Sequence, residues 1–94
     1  MKVEIVWTEE ADSNYQSIRS YLKESWGIFS ANNFSRKVEE IIELIISQPE
    51  IGTEIEDYPG VRKKLVTRYN YIYYKFTDRT LNVLNFQDTR QEPK

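Results

Sequence analysis

Val61-Arg62-Lys63-Lys64-Leu65-Val66-Thr67, Tyr71-Ile72-Tyr73-Tyr74-Lys75-Phe76 and Leu81-Asn82-Val83-Leu84-Asn85-Phe86 are three short runs rich in β-branched and aromatic residues. Only Arg68-Tyr69-Asn70 and Thr77-Asp78-Arg79-Thr80 separate them. Links this short join antiparallel neighbours, so the second half of the chain predicts a three-stranded antiparallel meander. A sheet needs an apolar layer against one of its faces. The residues upstream must supply it.

They do so with helical spacing. Ala11, Tyr15, Ile18 and Leu22 recur on one face of a first helix. Thr8 stands as its N-cap, and Glu9 and Glu10 in its first turn suit the positive end of the helix dipole. Gly27 after Trp26 is the stop signal. A second helix is predicted from a Ser30 cap, with the wide stripe Phe34, Val38, Ile41, Ile42 and Ile45. Pro49 disfavours helical geometry at Gln48 and ends it there. So few residues between the helices imply an antiparallel hairpin.

Residues 2–7 alternate as a strand, with Val3, Ile5 and Trp7 on one side. Residues 49–60 contain Pro49, Gly52, Pro59 and Gly60 and read as a loop. The predicted fold is α+β: an N-terminal strand, a helical hairpin and a three-stranded meander, forming one four-stranded sheet in a single domain of residues 1–94. Trp7 and Trp26 are read as core or helix-end packing.

Composition removes most enzyme classes. With neither cysteine nor histidine among 94 residues, disulfides, thiolate nucleophiles, His-based triads and sulfur- or imidazole-ligated metal sites are excluded. No cofactor, metal or small-molecule substrate is expected. The first residues lack the apolar run of a signal peptide and nothing approaches the ~18 residues of a membrane span, so a cytoplasmic protein with no membrane partner is expected. The net charge of −2 conceals a polarised chain. Residues 1–60 carry 5 Lys and Arg against 12 Asp and Glu, while residues 61–94 carry 8 against 3. Such asymmetry fits either an anionic partner for the second half or pairing of opposite charges across the fold.

Any chemistry must come from Arg, Lys, Tyr and Asp, which cluster after residue 60. Alternation puts Arg62, Lys64 and Val66 on one face of their strand, and two adjacent cations can hold a phosphate or stay solvated. Tyr71 and Tyr73 share a face of the next strand, where tyrosines either stack on bases or pack as β-formers. Arg62, Lys64 and Arg90 are the candidate catalytic residues. Arg62, Lys64, Arg68, Tyr71, Tyr73 and Arg90 are the candidates for binding a target or partner.

The layout resembles the RelE/ParE toxins over nearly the full chain. The resemblance is carried by Trp7-Thr8-Glu9-Glu10-Ala11, Pro49-Glu50-Ile51-Gly52, Val61-Arg62, Tyr71-Ile72-Tyr73-Tyr74 and the closing Phe86-Gln87-Asp88-Thr89-Arg90-Gln91-Glu92-Pro93. That ending looks like a ParE-like subgroup. The resemblance implies a type II toxin-antitoxin pair: a toxin that blocks DNA gyrase or cuts messenger RNA on the ribosome, neutralised by a cognate antitoxin. RelE-like nucleases have an Arg where Tyr71 aligns, and many relatives have a His where this chain has Asp88. An Arg that stabilises phosphoryl-transfer charge is not replaced by a tyrosine without loss. The resemblance therefore implies the ParE-like, gyrase-directed branch, with the ribosome-dependent endoribonuclease as the alternative.

Overall fold

The computed structural model describes residues 2–89. Seven elements follow one another: β1 (Glu4–Trp7), α1 (Glu9–Trp26), α2 (Ile28–Ser47), β2 (Thr53–Glu54), β3 (Val61–Thr67), β4 (Asn70–Thr77) and β5 (Thr80–Asp88). The strands form one mixed sheet in the order β1-β5-β4-β3-β2.

The predicted meander is present as β3, β4 and β5, each antiparallel to the next. Two details differ from expectation. The segment read wholly as a loop contributes a fifth strand, β2, antiparallel to β3. It is only two residues long, too short to leave a periodic signal. The N-terminal strand pairs with β5 in parallel, Ile5 opposite Leu81 and Trp7 opposite Val83. A parallel pair cannot be joined by a tight turn, and here the chain between the two strands runs through the helical hairpin, β2, β3 and β4.

Thr8 caps α1 as predicted: its Oγ1 accepts from Ala11 N at 3.0 Å and donates to Leu84 O at 2.7 Å. One residue thus starts the helix and ties it to β5. The second helix begins earlier than Ser30. Gly27, at φ 98°, ends α1 and directly precedes α2, which starts at Ile28 without a side-chain cap. Only a left-handed residue turns the chain this tightly, and glycine does so without a Cβ clash.

Both stripes face the sheet. Phe34, Val38, Ile42 and Ile45 of α2 and Ala11 of α1 are buried against Val66, Ile72, Tyr74, Leu81, Val83 and Phe86. At one end Trp7, Tyr15, Phe34 and Phe86 form an aromatic group. Trp7 meets Tyr15 edge-on at 5.1 Å between ring centres, and Tyr15 lies 5.5 Å from Phe34. A bulge between Tyr73 and Tyr74 shifts the β4–β5 register. This re-aims the end of β5, where Asn85 accepts from Asn14 of α1 at 2.6 Å.

Candidate functional site

β3 alternates as predicted, but Val66 is a core residue, so the face it shares with Arg62 and Lys64 is the one beneath the helices. Arg62 lies opposite Tyr74, and Lys64 opposite Ile72. Arg62 is engaged by the fold. Its Nη1 donates to Gly52 O at 2.7 Å and Glu50 O at 3.2 Å, and its Nη2 meets Glu54 Oε1 at 3.3 Å. The Arg62 side chain is 23% exposed and that of Glu54 73%, so the ion pair opens to solvent while the carbonyl contacts lie inward.

Tyr74 completes this junction from the next strand. Its hydroxyl donates to Pro49 O and accepts from Gly52 N, each at 2.9 Å. Burial raises the phenol pKa above its usual 10.0, against the opposing effects of the Gly52 hydrogen bond and the Arg62 charge. A Cβ added at Gly52 would stand 2.7 Å from Tyr74 Oη and 2.8 Å from Lys63 O. Glycine is needed there for space. Arg62, Tyr74 and Gly52 lock the chain between α2 and β2 onto the sheet.

The opposite sheet face is open. There Tyr71 and Tyr73 stand 6.4 Å apart between ring centres, as alternation placed them. Lys63 Nζ sits 4.5 Å over the Tyr71 ring, a cation–π contact, and Tyr73 Oη donates to Gln87 Oε1 at 3.0 Å. The cation that accompanies the tyrosines is thus Lys63, not Arg62 or Lys64. The signal that distinguishes the faces was the contrast of buried Val66 with exposed Leu65.

Arg68 lies in the two-residue β3–β4 turn, its guanidinium 5.5 Å from the Tyr69 ring centre. It borders a cleft of about 1060 Å³ between the helical hairpin and the end of the sheet. Tyr21, Trp26 and Lys37 line the helical wall, with Tyr69, Asn70 and Asp88 opposite. Arg90 lies outside the described residues.

Among the described residues the candidates thus fall into three places: Arg62 and Lys64 on the covered face of β3, with Arg62 in the β2–β3 junction, Tyr71 and Tyr73 on the open face, and Arg68 at the cleft. A further feature escaped sequence reading. Trp26, predicted to pack, is 71% exposed, and Phe29 just past Gly27 is 87% exposed. Phe29 lies off the apolar stripe of α2, and that was the available signal there; Trp26 continues the spacing of Tyr15, Ile18 and Leu22 and gave none.

Two helices laid on one face of a small mixed sheet, with a cleft at one end and an open opposite face, define a small α+β class of domain. Solved structures share this fold. The chromosomal ParDE toxin-antitoxin system from P. aeruginosa aligns with a TM-score of 0.76 at 17% identity, over 92% of this chain and 95% of that one. A YoeB/ParE toxin from Agrobacterium tumefaciens aligns at 0.70 and 15% identity, over 92% and 98%. The E. coli DinJ-YafQ complex aligns at 0.70 and 14% identity, over 95% and 96%. No curated protein sequence matches the chain. The family model described as ParE toxin of type II toxin-antitoxin system, parDE, matches residues 5–93, and the chain belongs to that family.

Proposed function

We propose that this chain is the growth-inhibiting toxin of a type II pair, that it works by binding rather than by catalysis, and that DNA gyrase is its target. The observation that supports the binding reading is the separation of Arg62 from Arg68 among the described residues. Phosphoryl transfer needs cations converging on one phosphate. Here Arg62 donates to backbone carbonyls, while Arg68 lies in the β3–β4 turn against the Tyr69 ring. Tyr71 also holds the place where the family resemblance puts a nuclease arginine. Gyrase follows by analogy with the ParE family.

The partner that restrains it is a cognate antitoxin, and the site of action is the cytoplasm. Among the described residues no helix is long and apolar enough to cross a membrane. Expression of the chain alone should slow bacterial growth, and co-expression of the adjacent reading frame should restore it. Purified protein should inhibit gyrase supercoiling and leave translated messages uncut on purified ribosomes. Position-specific cleavage of a translated message would replace this reading with ribosome-dependent endoribonuclease activity, for which Lys63, Tyr71 and Tyr73 on the open face would be the contacts.

A further inference from the structure

The two edges of the sheet are finished differently. At one edge β2 is two residues long, carries the charge of Glu54 and is followed by the turn that holds Pro59 and Gly60, which offers a neighbouring strand little to pair with. At the other edge β1 contains no proline, and among the described residues no strand lies beyond it. Ile5 and Val6 point to opposite faces there, 45% and 48% exposed.

The bonds of β1 to β5 fix where its backbone groups point. Glu4 N donates to Arg79 O at 2.9 Å and Thr8 N to Val83 O at 3.0 Å. Backbone groups alternate sides along a strand, so Glu4, Val6 and Thr8 turn theirs toward β5, while Val3, Ile5 and Trp7 turn theirs outward. Ile5 stands beside Leu81 and shares its face, the one toward the helices. Leu81 is fully buried and Ile5 is not, because α1 packs over β5 rather than over β1. Outward backbone groups and an uncovered apolar side chain thus coincide on one residue.

We infer that β1 pairs antiparallel with β1 of a second copy, with Ile5 on the two-fold axis, joining two sheets into one of ten strands. The strand's own sequence selects this occupant and this register. Outward groups sit on odd-numbered residues, so odd residues must face odd ones. With Ile5 facing Ile5, Val3 faces Trp7, Glu4 faces Val6 and Lys2 faces Thr8. Lys2 then stands next to the acidic first turn of the other copy's α1, Glu9, Glu10 and Asp12, an attraction that symmetry makes twice. Moving the axis to Glu4 sets two glutamates directly opposite, which is destabilising. Moving it to Val6 sets Val3 against Glu9, already in the helix. In the favoured register the two Glu4 side chains are only diagonal neighbours, roughly 7–8 Å apart. Both helical hairpins lie on one side of the joined sheet, and both copies of Lys63, Tyr71 and Tyr73 lie on the other. A strand from an unrelated protein would meet the same backbone groups without this matching of Lys2 to an acidic turn.

The test is the association state of the purified full chain by sedimentation equilibrium, with circular dichroism to confirm that the variants are folded. A concentration-dependent dimer is expected. Proline at position 5 removes an outward N–H and no bond to β5, so Ile5→Pro should stay folded. It should weaken dimerisation at least about tenfold, since each copy loses a hydrogen bond. Ile5→Lys, which sets like charges face to face and leaves the backbone intact, should also weaken it. The chain has no cysteine, so the register can be read by cross-linking. In Ile5→Cys the two Cα atoms face each other at about 5.5 Å, within the span of a disulfide. Oxidised glutathione should convert that variant to a covalent dimer. Glu4→Cys, with its Cα atoms roughly 8 Å apart, should stay uncrosslinked. A wild type that is monomeric at every concentration would overturn the inference. So would a dimer untouched by both Ile5→Pro and Ile5→Lys, or one cross-linked equally well from positions 4 and 5. If the wild type alone is monomeric and Ile5→Pro weakens its binding to the product of the adjacent reading frame, the edge takes a strand of that partner and the inference falls. The function proposed above stands under each of these outcomes.

Discussion

The two ends of the helical layer treat their polar and aromatic groups in opposite ways. Where α2 leaves for the sheet, Arg62 and Tyr74 are spent on backbone groups at Pro49, Glu50 and Gly52. Where α1 turns into α2, Trp26 and Phe29 are left exposed. An arginine in this chain is thus no guide to a working surface until its partners are known. In the basic half of the sequence Arg62 holds the fold together, while Lys63 and Arg68 lie against tyrosine rings.

The sharpest way to break the contrast is at Gly52. A methyl group there meets both the Tyr74 hydroxyl and the backbone of Lys63. Gly52→Ala should therefore cost about 3 kcal/mol, combining overpacking with a disturbed buried hydrogen bond. Chemical denaturation measures it. A loss below about 1 kcal/mol would mean that the junction yields easily and is not a lock.

Arg62→Glu comes next. It puts a carboxylate among the carbonyls of Glu50 and Gly52 and the carboxylate of Glu54, where every neighbour is an acceptor. A loss of about 2 kcal/mol is expected, since an inward acceptor loses its donor. Glu54→Gln, which removes only the exposed half of the pair, should stay within about 0.5 kcal/mol. Equal losses in the two variants would show that the ion pair, not the carbonyl contacts, is what matters. Arg62 is thus engaged in holding the fold, and any loss of toxicity in this variant must be read against its folded fraction.

Tyr74→Phe should cost about 1–2 kcal/mol, because Gly52 N–H loses its acceptor in a buried setting. The pH dependence has a definite sign. The folded-state pKa of Tyr74 lies above its ordinary 10.0, with burial the main cause. Its contribution is therefore intact below pH 10 and is lost as pH rises through the folded value, because the unfolded chain ionises first. The stability difference between wild type and Tyr74→Phe should narrow above pH 10. A gap that widens there would contradict the raised pKa.

These residues also show what sequence could and could not reveal. The strand runs, the Thr8 cap, the Gly27 stop and the Pro49 end were legible because each rests on local chemistry. Pairing was less so. Alternation grouped Arg62 with Lys64 and Tyr71 with Tyr73, yet which face of β3 the helices cover depends on long-range packing of Val66 against the core. β2 escaped because two residues carry no period. The parallel seating of β1 against β5 escaped because local pattern does not encode direction. At the candidate site, residue types were legible but not their grouping: Lys63 joins the tyrosines, Arg68 the cleft, and Trp26 solvent.

The smallest effect on stability is expected at the tip, and it carries the most information about function. Trp26 and Phe29 stand mostly in water, and neither belongs to the core cluster or to the partly buried groups packed against it. Replacing either by Ala removes little buried surface, so each variant should keep its stability within about 0.5 kcal/mol. Alanine is also the better helix former and should offset part of any loss. A drop of 2 kcal/mol or more in Trp26→Ala would show that this ring packs tightly in the folded chain, and the tip would then resemble the junction at Gly52. If stability holds while antitoxin binding or growth inhibition collapses, the two ends differ in kind. Large aromatic groups kept in water at no benefit to the fold are then explained by what they touch in a partner.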